Sequence, residues 1–194
     1  MNCGPYELTP IDDGRFALDG GAMFGTVPRV LWEKNHPPDF QNRIEMALRT
    51  LLVRGGGKVI LIDTGIGDKF AERFVQMYRI DRHGGGLEAG LALAGLSPSQ
   101  VTDVVITHLH FDHAGGATRL RADGRLVPAF PAARVHVQEE NLQAACHPNE
   151  RERASYLDEN VRPLADAGCL ELHRGDWELA PGVRILVSNG HTRG

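Results

Sequence analysis

Residues 107–116 read Thr107-His108-Leu109-His110-Phe111-Asp112-His113-Ala114-Gly115-Gly116, directly after the apolar run DVVIT at 103–107. Three imidazoles and one carboxylate fall within the six positions from His108 to His113. So many metal-capable side chains beside a buried strand are costly to bury unless they share a partner. Imidazole suits zinc, iron, nickel and copper, and a carboxylate is a harder ligand that also takes manganese or iron. A strand continuing through the motif points His108 and His110 to one side. A tight turn, eased by the backbone freedom of Gly115 and Gly116, brings Asp112 and His113 to a neighbouring point. The pattern reads as ligands for two adjacent metal sites. The isolated histidines His36, His136, His147 and His173 are expected at the surface, with His136 solvated beside Arg134 and Gln138. His83, ahead of three glycines, is a candidate pocket residue.

Upstream, RTLLVR at 49–54 and KVILID at 58–63 read as two strands joined at Gly55-Gly56-Gly57, a hairpin signal. The second strand is almost continuously apolar, so both of its faces are expected to be covered. Helical spacing appears over 68–79, with Asp68 as N-cap, and over 87–94, 138–146 and 150–160. Further strands are expected at 133–137, 170–172, 177–179 and 183–188. The first forty residues, with Pro28, Pro37, Pro38, Gly20, Gly21 and Gly25, are expected to be irregular. Met23, Phe24, Val27, Leu31 and Trp32 are expected to pack into the core, the alternative being a wall of a substrate pocket. Strands mixed with helices throughout indicate an α/β or α+β domain whose helices cover a sheet.

The 194 residues carry 21 basic and 25 acidic side chains, a net charge of −4. One domain is the prior at this length. The acidic balance and the lack of a basic stripe exclude a nucleic-acid binder. Cys3, Cys146 and Cys169 are dispersed, which excludes a disulfide framework and a thiolate zinc site. The N-terminus lacks a signal-peptide pattern, and no apolar stretch approaches the ~20 residues of a membrane span. A cytoplasmic location without membrane partners is the expectation. No Gly-x-Ser-x-Gly elbow is present and no cysteine lies near the histidine cluster, so serine and cysteine nucleophiles have no support.

H-x-H-x-D-H after a strand resembles the metallo-β-lactamase superfamily, metal-dependent hydrolases built as a four-layer αββα sandwich. Leu61-Ile62-Asp63-Thr64-Gly65 is similar to the family's early strand ending in Asp-x-Gly. Ser188-Asn189-Gly190-His191-Thr192 resembles its Gly-His-Thr segment. The resemblance runs from about residue 45 to the last residue. It implies that His108, His110 and His191 hold one metal, and that Asp112 and His113 form part of a second site. It also implies that Asp63 is a carboxylate bonding to the metal loop from outside; the plain alternative is a strand-ending Asp bonded to a turn amide.

The implied cofactor is zinc, two ions in the full site, with other divalent transition metals admissible. The implied reaction is attack by a metal-bound hydroxide, which Asp112 orients while later shuttling a proton. Acyl-homoserine lactonases and organophosphate hydrolases are the nearest branch, so a small-molecule ester or lactone is the expected substrate. A glyoxalase-II-like thioesterase is the alternative, and self-association is left open. In the family a bridging Asp and a last His lie beyond the Gly-His-Thr segment, and this chain stops at Gly194. The expectation is one domain over 1–194, incomplete at its C-terminal end: the N-terminal half of the sandwich plus a connecting strand. A non-catalytic metal-binding fragment is the rival reading. The inner sheet face is expected to carry Leu51, Val53, Val59, Leu61, Val104, Ile106, Val135 and Ile185, or their alternates along each strand.

Overall fold

The computed structural model describes residues 1–194 apart from the side chain of His83, so the pocket reading of His83 lies outside the described residues. The chain opens with β1 (Asn2–Cys3) and β2 (Tyr6–Asp19), then two short helices, α1 (Gly20–Phe24) and α2 (Arg29–Trp32). Next come β3 (Arg43–Gly55), β4 (Lys58–Ile62), α3 (Glu72–Met77), α4 (Gly86–Leu93) and β5 (Asp103–Val105). After a single helical turn, α5 (Phe111–Ala114), follow β6 (Thr118–Leu120), β7 (Leu126–Pro128), β8 (Arg134–Gln138), α6 (Glu139–Cys146) and α7 (Asp158–Asp166). The chain closes with β9 (Leu170–His173), β10 (Trp177–Ala180) and β11 (Val183–Ile185). Among the described residues, no helix is long and apolar enough to cross a membrane.

Seven strands form the main sheet in the order β1-β2-β3-β4-β5-β8-β9. Pairing is antiparallel from β1 to β4 and parallel from β4 through β5 and β8 to β9. The parallel half has all its carboxyl ends at one edge, where open α/β sheets bind their ligands. The expected hairpin at Gly55–Gly57 is present as the β3–β4 pair.

Register divides the apolar residues between two faces. Leu52, Leu61, Val104 and Val135 pack with Leu87 and Leu91 of α4 and Val161 and Leu164 of α7. Val53, Ile60 and Val105 face the other way and are covered by Leu179, Ala180, Val183 and Ile185 of the β10–β11 hairpin. The single inner face expected from sequence therefore mixed the two: Leu61, Val104, Ile106 and Val135 lie on the helix side. The connecting strand expected over 183–188 is only three residues long and pairs with β10, outside the main sheet.

Several other elements differ from the sequence reading. The irregular N-terminal region contains the 14-residue strand β2. The helix expected from Asp68 begins at Glu72, with Ala71 at its cap; Asp68 instead lies 3.8 Å from Arg82. The helix expected over 150–160 is α7, which starts at Asp158 and places Asp158 and Glu159 in its first turn, where acidic groups favour the helix dipole. Of the N-terminal apolar stretch only Trp32 is buried, whereas Met23, Val27 and Leu31 are exposed. His136 is buried rather than solvated.

Candidate metal centre

The motif residues leave the sheet sooner than the sequence implies. β5 ends at Val105, so His108 and His110 are not successive outward residues of a strand. His110 caps α5 with extended backbone, and α5 carries Asp112 and His113 in its single turn. Phe111 anchors that turn in an aromatic cluster, its ring 4.7 Å from Tyr78 and 5.4 Å from Phe74.

The loop after β4 and the turn after α5 are pressed backbone to backbone. Thr64 N–H donates to the His113 carbonyl at 2.8 Å, and Gly116 N–H donates to the Gly65 carbonyl at 3.1 Å. Neither Gly115 nor Gly116 has a positive φ. They are glycines because a Cβ at either would lie 2.2 Å from a carbonyl oxygen, of Ile66 and Thr64 respectively. Close approach, not conformational freedom, is what these two positions require.

The fold brings His108, His110 and His191 together. Their ring centroids are 4.6, 4.8 and 4.9 Å apart pairwise, and one ligand nitrogen from each lies within 4.8 Å of the others. His113 joins them, its ring 4.0 Å from that of His108. Asp112 Oδ2 lies 3.4 Å from His113 Nε2.

Asp63 stands behind this group. Its Oδ1 accepts the Thr107 N–H at 2.8 Å, and its Oδ2 is 2.8 Å from His113 Nδ1. The Thr107 hydroxyl lies 2.9 Å from both carboxylate oxygens and 3.2 Å from His108 Nδ1. A hydroxyl that donates to a carboxylate has lone pairs left to accept. His108 thus carries its proton on Nδ1, toward Thr107, and His113 carries its own on Nδ1, toward Asp63. Both rings then turn their Nε2 atoms away from Asp63. Asp63 bonds the Thr107 turn amide and also contacts His113 directly and His108 through the Thr107 hydroxyl.

Sequence reasoning missed two supports. Asn141 of α6, fully buried, accepts the Leu109 N–H at 2.8 Å and donates to the Arg193 carbonyl at 2.8 Å. It ties the segment between His108 and His110 to the segment just past His191. Lys69 donates to the Gly115 carbonyl, and burial pulls its pKa down to about 8. Neither residue belongs to a local pattern; an Asn at a buried helix position is the only signal, and it is a weak one.

Burial, reinforced by the neighbouring imidazoles, lowers the pKa of His108 to about 2 and of His110 to about 4. Both rings are neutral at pH 7, the form that binds metal. Burial also acts to lower His113, but the Asp63 hydrogen bond and the charges of Asp112 and Asp63 outweigh it and raise the pKa. Burial raises Asp112, against the opposing charge of His113.

His108 Nε2 and His110 Nε2 are buried and, among the described residues, have no hydrogen-bond partner. An unsatisfied buried polar atom costs about 1–3 kcal/mol. A divalent ion at the point the three rings share satisfies both, and an all-imidazole set suits a zinc-like ion.

The sequence profile of the Metallo-beta-lactamase superfamily matches residues 49–181. An N-acyl homoserine lactonase of Bacillus thuringiensis is 34% identical over 104 residues, which cover 54% of this chain and 34% of the lactonase. A protein of Mycobacterium tuberculosis named a probable metallo-hydrolase is 29% identical over 172 residues, covering 78% of this chain and 51% of that protein. Among solved structures, one described as a probable metal-dependent hydrolase from Staphylococcus aureus superposes with a TM-score of 0.86 at 31% identity, over 99% of this chain and 67% of that one. An N-acyl homoserine lactone hydrolase solved with N-hexanoyl-L-homoserine at its catalytic metal centre gives a TM-score of 0.67 at 26% identity, over 96% of this chain and 67% of that one. The chain thus spans between 34% and 51% of the length of these curated relatives.

Proposed function

Because this chain belongs to the metallo-beta-lactamase superfamily, we propose that it acts as a metal-dependent hydrolase on an ester or lactone, with N-acyl homoserine lactones as the leading substrate class. The observation that carries the reading is the convergence of His108, His110 and His191, with two buried Nε2 atoms that have no partner. Likeness to the Bacillus thuringiensis lactonase supports the substrate class. In this reading the three imidazoles hold one ion, zinc or a similar divalent metal, and Asp112 with His113 belongs to a second.

A divalent ion held there supplies Lewis acidity and makes water a usable nucleophile near neutral pH. The chain's own residues do the rest. Asp63 fixes the tautomer and tilt of His113 directly and of His108 through Thr107. Asn141 sets the separation between the His110 turn and the His191 segment. In this reading Asp112, whose pKa burial raises, holds and passes a proton at Oδ2, 3.4 Å from His113 Nε2.

The test is turnover by the zinc-loaded chain on three substrates: an N-acyl homoserine lactone, an aryl phosphotriester and a glutathione thioester. Chelated chain and H110A serve as controls. Ring opening of the lactone well above both controls is expected. A preference for the thioester replaces the lactone reading with a thioesterase one. A chain that holds zinc at the cluster but turns over none of the three overturns the hydrolase reading.

A further inference from the structure

A second set of converging ligands lies on the sheet face that the β10–β11 hairpin partly covers: His136 of β8, with Glu171 and His173 of β9. We propose that these three residues form a separate binding site for a divalent transition metal of the zinc, nickel or copper(II) class. They share no residue with the His108 cluster, and the proposal does not depend on the hydrolase reading.

One ligand atom from each lies within 4.8 Å of the others. What distinguishes the set from a chance surface grouping is the buried carboxylate behind it. Asp103, 2% exposed, accepts from Lys58 Nζ at 2.9 Å, from the Thr102 hydroxyl at 2.6 Å and from His136 Nε2 at 3.0 Å. With Nε2–H committed to Asp103, the Nδ1 of His136 is a bare lone pair. A carboxylate behind one ring nitrogen with a lone pair on the other is the arrangement that orients metal-ligating histidines. Sequence placed His136 among solvated residues because Arg134 and Gln138 share its face; Asp103 is what draws it inward.

The other two ligands also have partners. His173 Nε2 lies 2.9 Å from His136 Nδ1, and the indole of Trp177 stacks flat on the His173 ring at 3.6 Å and 1°. Arg134 Nη1 donates to Glu171 Oε2 at 2.9 Å and leaves Oε1 for another partner. At present one proton, carried by His173 Nε2, joins the two imidazoles. An ion takes its place when His173 carries that proton on Nδ1 instead, so no net proton is released. Two imidazoles and a carboxylate are a recurrent zinc set that leaves a fourth position open. His136, Glu171 and His173 line a groove of about 610 Å³ together with Lys58 and Trp177, with room for water or a small anion beside them.

Trp177 makes the site visible. Copper(II) quenches a contacting indole, while Trp32 sits in α2 and reports separately. Zinc content by elemental analysis and copper(II) quenching are measured on the full chain, on H173Q and E171Q, and on each in an H108A/H110A background. We expect H173Q and E171Q each to bind one zinc fewer than the unmodified chain, or to hold it at least about tenfold more weakly. Quenching should persist in H108A/H110A and disappear when H173Q is added. Unchanged zinc content and unchanged quenching in both variants, with native circular dichroism, overturn the proposal and leave a proton-linked network. If H173Q fails to fold, E171Q decides alone, because its carboxylate side chain is 39% exposed and its loss leaves the core intact.

Discussion

At the scale of single residues, Asp63 supports the candidate metal centre from behind. It has φ +58, a backbone conformation that only Gly, Asn and Asp adopt readily. Asp63→Asn keeps that backbone and the side-chain shape but removes the charge that His113 and Thr107 use. Zinc affinity should fall by about 10–100-fold, read by competition with a chromogenic chelator. His108 and His110 supply a second expectation. Their pKa values in the metal-free fold, about 2 and about 4, lie below the ordinary 6.5. Between pH 6.5 and 4 the unfolded chain therefore binds more protons than the folded one. Stability falls as pH drops through that window, by up to about 1.4 kcal/mol per pH unit for each ring. Urea midpoints from pH 7.5 to 5, with chelator present, should show this slope, and His110→Gln should flatten it. The convergence of His108, His110 and His191 was legible because the five proposed ligands fall in two short motifs. Asn141 was not, since its partners lie 32 and 52 positions away.

At the scale of elements, α7 shows how a helix tolerates a proline. Pro163 has no N–H to give the Glu159 carbonyl. The Thr118 hydroxyl, buried on β6, donates to that carbonyl at 2.9 Å instead. Thr118→Val keeps the volume and removes the donor, so it should destabilise the chain by about 1–3 kcal/mol in urea unfolding, with zinc affinity unchanged. The charged stretch at 150–155, read from sequence as the start of this helix, forms turns instead. β2 escaped for another reason. Its register slips between Asp12 and Gly14, and a bulge breaks the two-residue alternation by which strands are read. The slip also turns Asp13 inward, where it accepts the Leu87 N–H at 2.7 Å and the Ile66 N–H at 3.1 Å. β4 and β5 were legible as apolar runs; β3 pairs antiparallel with β4 across the glycine turn, while β4, β5 and β8 run parallel.

At the scale of the whole molecule, the ligands come from two bodies. His108, His110 and His113 follow the main sheet, whereas His191 follows β11 of a hairpin that pairs only with itself. That hairpin rests on the sheet through Ala180, Val183 and Ile185 and through the Tyr6 hydroxyl, which donates to the Pro181 carbonyl at 2.9 Å. Chelation should lower the melting temperature, and each hundredfold excess of metal over its Kd should restore about 2.7 kcal/mol. The two-body origin of the ligands has a kinetic counterpart. Any excursion that lifts the hairpin carries His191 away from its partners, so an ion bound at the cluster must be released or lose a ligand before the hairpin can open. Occupancy of the site is therefore a latch on a segment outside the main sheet. Amide hydrogens of Glu178, Arg184 and Ile185 should exchange more slowly when zinc is present, while those of β2 and β3 keep their rates. In His191→Ala the two exchange profiles should coincide, and a hairpin whose exchange ignores zinc in the unmodified chain would show that it moves independently of the metal.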